Sequence, residues 1–283
     1  MNLTSIKTIH EIQSRFNFEF KKGLGQNFLT DQSVIDEIAA VAEVEDGVIE
    51  IGPGFGVLTQ ALAKRAPKVV ALELDKRLPE VLAYTLSEFD NVKVINEDAL
   101  RVDMVKLINE EFDGKQVSIA ANLPYYITTP IITSLVENRL PIKAITVMVQ
   151  KEVAERLCAK EGTKDYGAIS VMCAYYTKPE MVCIVPAHSF VPAPKVDSAV
   201  IKLNICDTPN VECKNEKMFF KTVKAGFSQR RKTLSNCVSS FFGIEKSTAS
   251  DALESVGIDP RRRGETLSLE EYARLADKLC DIV

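Results

Sequence analysis

The segment Asn122-Leu123-Pro124-Tyr125 combines residue types that prepare an aromatic amine for attack on an electrophile. Such an amine is a poor nucleophile because its lone pair is delocalised into the ring. When the Asn122 side-chain carbonyl and the Leu123 backbone carbonyl accept its hydrogens, a pyramidal nitrogen with an outward lone pair is favoured. Pro124 has a fixed φ and biases Leu123 toward an extended conformation, which holds these carbonyls in place. The segment therefore predicts a site for the amino group of a nucleobase.

A base that has left its helix is best held between two aromatic rings. Removing the base from the helix costs a few kcal/mol, and stacking on an aromatic ring returns about 1–3 kcal/mol per base. Tyr125 offers one ring. We select Phe190 for the other because it lies in the rigid, proline-containing segment Ser189–Pro194. The alternative for Phe190 is an ordinary position in the hydrophobic core.

A glycine-rich turn between a β-branched strand and an amphipathic helix marks a second site, in the run Val48–Thr59. Gly52, Gly54 and Gly56 lack Cβ atoms where the backbone must turn tightly and approach a ligand. That ligand is expected outside the carboxyl end of the strand. The spacing G-x-G-x-G differs from the G-x-G-x-x-G that fits a dinucleotide pyrophosphate. It favours S-adenosylmethionine as the ligand.

An acidic residue follows these glycines at the separation expected for a ribose contact. Glu73 lies in a second apolar strand, about twenty positions after Gly52, and an acidic side chain at that separation reaches ribose hydroxyls in nucleotide-binding sheets. The alternative is a solvated strand end that leads into the next helix. The glycine-rich turn favours the ribose contact.

Alternating strands and helices bring these residues to one edge of a predicted sheet. We expect strands near 48–51, 69–74, 92–95, 116–121 and 144–149, with helices around 57–66, 76–89, 100–112 and 130–138. This alternation predicts an α/β, Rossmann-like domain whose parallel sheet is covered on both faces. Right-handed crossovers then place Gly52, Glu73, Asp98 and Asn122 at the same edge.

The rest of the chain divides into a continuation of this domain and a helical part. A helix to about residue 159 and another over 168–176 precede strands 181–185 and 199–203, which form a predicted antiparallel hairpin at the end of the sheet. We place an S-adenosylmethionine-binding domain at 1–206 and a small all-helical domain at 207–283. Helices are expected over 216–225, 230–240, 248–254 and 268–279, and residues 1–22 are expected to be loosely organised.

The composition excludes several classes of protein. The chain has 283 residues, 46% of them hydrophobic, and a formal net charge of −4. No apolar run approaches the roughly 18 residues of a membrane span. Seven cysteines without a C-x-x-C pair and only two histidines suit neither a disulfide framework nor a metal site. We expect a cytoplasmic protein without a bound metal, and nothing in the sequence demands more than a monomer.

Positive charge is concentrated near the start of the helical part. Between Lys214 and Lys232 seven basic residues stand against one acidic residue, a local charge of +6. We select Arg230, Arg231 and Lys232 as phosphate contacts at a predicted helix start, where the helix dipole adds to the side-chain charges. Lys21-Lys22 and Arg261-Arg262-Arg263 are further candidates. For all of them, the alternative is a solvated charged face.

Six ordered motifs together resemble the rRNA adenine dimethyltransferases, from about residue 20 to the end of the chain. They are Gly25-Gln26-Asn27-Phe28-Leu29, Glu50-Ile51-Gly52-Pro53-Gly54, Glu73-Leu74-Asp75, Glu97-Asp98-Ala99, Asn122-Leu123-Pro124-Tyr125-Tyr126 and Phe190–Val200. The segment Phe227–Leu234 is also similar to that of the bacterial members that act on small-subunit rRNA.

The resemblance implies contacts with S-adenosylmethionine. The implied contact residues are Asn27, Leu29, Gly52, Glu73, Asp98 and Asn122, and Gly54 joins them from the glycine-rich turn. Glu73 is expected to hold the ribose hydroxyls, and Asp98 to accept from the amino group of the cofactor's adenine. Asn27 and Leu29 are expected to fold over the methionine end.

The resemblance also implies the reaction and the partner. Methyl groups pass to the exocyclic amine of two adjacent adenosines of small-subunit rRNA until each carries two, in a ribosomal subunit that is being assembled. No strong general base is required, because the methylated nitrogen carries a very acidic proton that water removes. Catalysis then rests mainly on orientation and desolvation.

Three other functions remain open on the sequence alone. An amino methyltransferase of this fold can act on DNA adenine or on a protein glutamine, although Leu123 and the basic helical part favour RNA. A non-enzymatic ribosome-assembly factor can retain the pocket. A nicotinamide-dependent oxidoreductase would need a hydride-transfer site that the sequence does not show.

Overall fold

The computed structural model describes residues 1–19 and 27–283. Within these ranges the chain forms two compact units, Met1–Ala154 with Glu180–Ile205, and Glu155–Pro179 with Cys206–Val283. The chain passes from the first unit to the second for the last time after Ile205, one residue before the domain boundary that we predicted after residue 206. The segment 155–179, which we had assigned to the first domain, belongs to the second unit in the structure.

The helices and strands are bounded as follows. The helices are α1 (Ile6–Arg15), α2 (Gln32–Val41), α3 (Val57–Ala63), α4 (Leu78–Thr85), α5 (Met104–Phe112), α6 (Thr128–Glu137), α7 (Lys151–Leu157), α8 (Ala168–Tyr176), α9 (Glu216–Phe227), α10 (Leu234–Phe242), α11 (Lys246–Ser255) and α12 (Leu269–Cys280). The strands are β1 (Phe28–Leu29), β2 (Val48–Ile51), β3 (Val69–Leu72), β4 (Val92–Ile95), β5 (Val117–Asn122), β6 (Ile142–Gln150), β7 (Thr177–Val185), β8 (Phe190–Val191) and β9 (Ser198–Ile205). None of the helices in the described ranges is long and apolar enough to cross a membrane.

A mostly parallel sheet forms the centre of the first unit. Among the described residues its seven strands follow the order β4-β3-β2-β5-β6-β9-β7. Pairing is parallel from β4 to β6 and antiparallel between β6 and β9. Every residue of β2 and β3 is buried, as expected for central strands covered on both faces. The α/β prediction is confirmed, and the two last predicted strands are neighbours at one end of the sheet.

The register of the central strands brings their carboxyl ends together. Ile51 pairs with Leu72 on one side and with Ala121 on the other. Gly52, Glu73 and Asn122 follow these paired positions directly, so they lie at the same edge of the sheet. The strand pattern in the sequence predicted this convergence correctly.

Helix α1 lies where we expected a loosely organised segment, so that expectation is wrong for Ile6–Arg15. Ile9 and Ile12 are buried in a cluster that also contains Phe18 and, from the glycine-rich turn, Phe55. The helix is short and mostly polar, and such helices depend on the packing of one apolar face. That packing partner is remote in sequence, which explains why the local pattern was not sufficient.

Aromatic residues form much of the core of the second unit. Tyr175 of α8 packs against Phe219 of α9 with ring centroids 4.7 Å apart, which explains why α8 belongs with the carboxyl-terminal helices. Tyr272 is fully buried, and its hydroxyl donates to the Gly264 carbonyl at 3.0 Å. A Cβ at Gly226 would lie 2.4 Å from that hydroxyl. Glycine at this position therefore permits the close approach of α9 to Tyr272.

Helix α10 begins later than predicted. We expected a helix over 230–240, but the structure starts it at Leu234, after Thr233 with extended backbone angles of φ −69° and ψ 157°. The N–H of Leu234, the first residue of the helix, donates to the Arg262 carbonyl at 2.7 Å, so residues 230–233 precede the helix. The predicted positions of Arg230, Arg231 and Lys232 in a first helical turn are therefore wrong.

Candidate active site

One cavity lies at the carboxyl edge of the sheet, entirely within the first unit. Its empty volume is about 1200 Å³, including space open to solvent. Every residue that we predicted for the cofactor or the amine lines this cavity: Asn27, Leu29, Gly52, Gly54, Glu73, Asp98, Asn122, Leu123, Pro124, Tyr125 and Phe190. The sequence motifs thus converge on a single site, while the role of each residue in it stays a prediction.

The glycine-rich turn forms the floor of the cavity beyond β2. Gly52 and Gly54 have φ angles of 71° and 59°, a left-handed conformation that favours glycine. A Cβ at Gly54 would lie 3.2 Å from Phe28, whereas a Cβ at Gly52 would meet no described atom within 4 Å. The space beside Gly52 is therefore open to a ligand that approaches the backbone.

Glu73 is held beside this turn by backbone donors. Its carboxylate accepts from the Asp75 N–H at 2.7 Å and from the Gly54 N–H at 3.4 Å. The side chain of Asn96 donates to the Glu73 carbonyl at 2.6 Å. Burial raises the pKa of Glu73 to about 7, although the two backbone donors favour the ionised form. The carboxylate is thus fixed in position and poorly solvated.

Glu50 is a second buried carboxyl group, and we had not predicted a role for it. It lies in β2 among apolar neighbours and lines the cavity. Among the described residues its Oε2 atom has no hydrogen-bond partner. Burial raises the pKa of Glu50 to about 8, with a smaller contribution from the charge of Glu73, although the nearby Thr59 hydroxyl favours the ionised form. The available signal was an acidic residue inside the apolar strand Val48-Ile49-Glu50-Ile51, since a buried charge is rarely left unpaired.

These carboxyl groups fit the cofactor that the resemblance implies. S-adenosylmethionine carries two positive groups, an ammonium and a sulfonium, and also ribose hydroxyls that need acceptors. The unpaired Oε2 of Glu50 and the carboxyl group of Glu73 provide acceptors in one cavity, and a cation bound beside them would favour their ionised, negatively charged forms. Because a buried acceptor without a partner is unfavourable, a ligand that donates to Glu50 would stabilise the site.

Asn122 and Leu123 are anchored at the end of β5. The Leu123 N–H donates to the Met148 carbonyl at 3.2 Å, which continues the pairing of β5 with β6. The Asn122 amide nitrogen donates to the Asn27 carbonyl at 3.4 Å. With its amide nitrogen so directed, Asn122 retains Oδ1 as an acceptor. This arrangement supports the prediction that Asn122 Oδ1 and the Leu123 backbone carbonyl accept hydrogen bonds from an amine.

The two aromatic candidates differ in their surroundings. Tyr125 is half-buried, and its hydroxyl lies 2.7 Å from the Ser198 hydroxyl. Phe190 is only 3% exposed and packs in the hydrophobic core, although it also lines the cavity. It belongs to β8, which pairs with β1 so that Leu29 lies opposite Phe190. In this structure Phe190 is a residue of the hydrophobic core, and its role in stacking on a base stays a prediction.

Asp98 already has partners on its own loop. One carboxylate oxygen accepts from the Leu100 N–H at 3.0 Å, and the other lies 3.5 Å from the Arg101 guanidinium. These contacts orient the carboxylate at the cavity wall. Its predicted contact with an adenine amino group remains a prediction.

The candidate RNA contacts Arg230–Lys232 and Arg261–Arg263 lie in the second unit, whereas Lys21 and Lys22 lie outside the described residues. Arg230, Arg231 and Lys232 are exposed in the turn after α9, and the Arg230 guanidinium donates to the Lys164 carbonyl at 3.0 Å. The exposed face of α9 adds three basic side chains at helical spacing, which are Lys217, Lys221 and Lys224. We name Lys217, Lys221, Lys224 and Arg230–Lys232 the basic stripe.

The second basic cluster has local acidic partners. Arg261 pairs with Asp259 at 2.7 Å. Arg262 pairs with Glu271 at 2.5 Å and also donates to the Thr266 carbonyl. Arg263 lies 3.8 Å from Glu265. These contacts favour a structural role for Arg262 in particular.

Comparisons with known proteins agree with the geometry. The sequence matches the family model described as ribosomal RNA adenine dimethylase over residues 17–280. The chain is 49% identical over 280 residues to the ribosomal RNA small subunit methyltransferase A of Alkaliphilus oremlandii, and the match covers 98% of each chain.

Two solved structures resemble the fold. A dimethyladenosine transferase from Plasmodium falciparum has a TM-score of 0.74 at 25% identity, with 88% of this chain and 95% of that chain covered. The 23S rRNA methyltransferase ErmE has a TM-score of 0.70 at 28% identity, with 90% and 100% covered. The family model matches nearly the whole length of the chain, and both structural likenesses agree with that match. The chain belongs to the ribosomal RNA adenine dimethylase family.

Proposed function

We propose that the protein transfers methyl groups from S-adenosylmethionine to the exocyclic amine of two adjacent adenosines in small-subunit rRNA, which yields dimethyladenosine. The observation that carries the proposal is the anchoring of Asn122 and Leu123 beside two buried carboxyl groups in one cavity. This arrangement combines acceptors for an aromatic amine with acceptors for a cationic nucleoside ligand. The choice of small-subunit rRNA rests on relatives of about 50% identity, which are ribosomal RNA small subunit methyltransferases A.

The residues of the cavity divide the binding of the cofactor between them. Glu73, fixed by the Asp75 and Gly54 N–H groups, accepts from the ribose hydroxyls. Glu50 receives the ammonium group, which gives its unpaired Oε2 a donor. Asp98 accepts from the adenine amino group, and the open space beside Gly52 lets the ligand approach the backbone. The bound cofactor supplies the electrophilic methyl group on its sulfonium.

The chain's contribution to the chemical step is orientation. Asn122 Oδ1 and the Leu123 carbonyl accept from the adenosine amine, so that its lone pair points along the line of transfer. Tyr125 stacks on the base and excludes water from one face of it. The methylated amine loses its acidic proton to water. Holding the reacting atoms in line in this way accounts for a large share of the catalytic effect in such reactions.

The basic stripe is the proposed RNA contact of the second unit. Its six side chains are exposed, and Lys and Arg that neutralise phosphates supply affinity without reading sequence. In an assembling small subunit, the shape of the RNA can select the target adenosines. The basic stripe then needs to supply only affinity that does not depend on RNA sequence. We further propose that the protein is located in the cytoplasm, which suits a ribosomal RNA substrate, and that it acts as a monomer.

A second candidate is adenosine in large-subunit rRNA, because the fold also resembles the 23S rRNA methyltransferase ErmE. Incubation with labelled S-adenosylmethionine and either unmethylated small subunits, naked small-subunit rRNA or large-subunit rRNA separates the candidates. Label in small-subunit RNA supports the proposal. Label confined to large-subunit RNA favours the second candidate, and label in neither RNA contradicts both.

A further inference from the structure

The Tyr125 ring is tethered at its far end by a residue to which no function has been assigned. The Tyr125 and Ser198 hydroxyls share a hydrogen bond of 2.7 Å. Ser198 is completely buried, while the Tyr125 ring lines the cavity. The bond therefore links a cavity residue to the interior of the sheet.

The bond crosses the end of a strand. Tyr125 follows β5 and Ser198 begins β9, and β6 lies between these two strands in the sheet. Neighbouring strands lie about 4.8 Å apart, so the contact joins positions about 10 Å apart. A tyrosine side chain that leans across the end of β6 bridges this gap, and the bond fixes it in that direction.

Ser198 itself is held rigidly. It pairs with Gln150 at the end of β6. The preceding residue, Asp197, accepts from the Lys151 N–H through its carbonyl and from the Ala187 N–H through its carboxylate, both at 3.0 Å. The Tyr125 phenol is protonated at neutral pH, since burial raises its pKa further above the ordinary value of about 10.

We propose that Ser198 is a positioning residue that fixes the plane of the Tyr125 ring, so that a stacked base presents its amine to Asn122. The inference rests on the proposed function. Without the bond, the ring is free to turn about its side-chain torsions while the carbonyls of Asn122 and Leu123 stay in place. The base would then stack at variable angles, and the fraction of bound RNA in the reactive geometry would fall.

A double-mutant cycle tests this role. The four proteins are the wild type, Ser198→Ala, Tyr125→Phe and the double variant, assayed for kcat and KM with small-subunit rRNA and for S-adenosylhomocysteine affinity by calorimetry. Ser118→Ala is the matched control, because Ser118 is an equally buried strand serine whose hydroxyl donates to the Glu43 carbonyl at 2.7 Å, outside the cavity.

We expect Ser198→Ala and Tyr125→Phe each to lower kcat for RNA about fivefold, the usual effect of one hydrogen bond. Adding Ser198→Ala to Tyr125→Phe should cause no further loss, since the serine acts through the phenol. S-adenosylhomocysteine affinity and the activity of Ser118→Ala should match the wild type. The inference would be overturned if the loss of kcat in the double variant equalled the product of the two single losses, or if Ser198→Ala were fully active. A wild type that methylates no RNA would instead contradict the proposed function.

Discussion

Glu50 and Glu73 approach the same cavity from the adjacent strands β2 and β3, and the charge of Glu73 contributes to the raised pKa of Glu50. Both carboxyl groups are buried. Two acids at one site cannot easily be ionised together unless a cation joins them. The pair thus makes the ligand-free protein sensitive to pH and receptive to a positively charged ligand.

The ligand-free protein should lose stability as the pH rises. The pKa of Glu50 in the folded protein is about 8 and that of Glu73 about 7, both above the unfolded value of about 4.3. The folded state therefore binds more protons, and its stability falls between about pH 4.5 and pH 8.

We expect the free energy of unfolding to fall by about 2 kcal/mol from pH 6 to pH 8 because of Glu50. Denaturant unfolding of the wild type and of Glu50→Gln measures the difference, since glutamine cannot ionise. Equal pH dependence of the two proteins would show that Glu50 does not titrate in this range.

S-adenosylhomocysteine should bind more tightly as the pH rises from 6 to 8. Its ammonium group favours the ionised form of Glu50, so binding releases a proton. Calorimetry in buffers of different ionisation enthalpy should detect proton release with the wild type and a smaller release with Glu50→Gln, in which Glu73 still titrates in this range. Proton release that persists undiminished in the variant would assign the titration to another group.

Replacing Glu73 by glutamine should weaken S-adenosylhomocysteine at least about tenfold, because hydrogen bonds to a charged acceptor are worth about 1.5–3 kcal/mol. Glu80→Gln removes an equal charge from an exposed position in the first turn of α4 and is the control. The assignment of Glu73 to the ribose fails if both variants bind like the wild type.

Changing Arg230, Arg231 and Lys232 to alanine should weaken RNA binding and make it less sensitive to salt. Loss of three phosphate contacts should reduce the salt slope by about 2 for single-stranded RNA. The double variant Arg261→Ala, Arg263→Ala is the comparison, since each of these arginines already has an acidic partner. An unchanged slope in the triple variant would identify the three residues as a solvated surface.

The sequence predicted the sheet and most of the site because both depend on short-range patterns. Apolar strands that alternate with helices determine which strand ends share an edge; Gly52 and Glu73 directly follow such strands, and Asn122 ends one. Their meeting in one cavity therefore required no knowledge of side-chain packing.

Features that depend on remote packing were not predictable in the same way. Helix α1 is stabilised by Phe55 and its neighbours, far along the chain. The start of α10 depends on the Arg262 carbonyl, which accepts from Leu234. The bond between Tyr125 and Ser198 spans residues 73 positions apart, and no local pattern indicates it.

The most direct test of the account is methyl transfer to unmethylated small ribosomal subunits by the wild type and by Asn122→Ala, followed by nucleoside analysis of the RNA. Asn138→Ala is the control, because Asn138 lies in the same unit and its amide donates within its own turn, to Ser134. The wild type and the control should produce dimethyladenosine, and Asn122→Ala should be slower by at least about 100-fold, because misplacing a reacting group by 1 Å has an effect of this size. Measurable S-adenosylhomocysteine binding by Asn122→Ala would show that its pocket is intact. Full activity of Asn122→Ala, or the absence of dimethyladenosine from the wild-type reaction, would contradict the account.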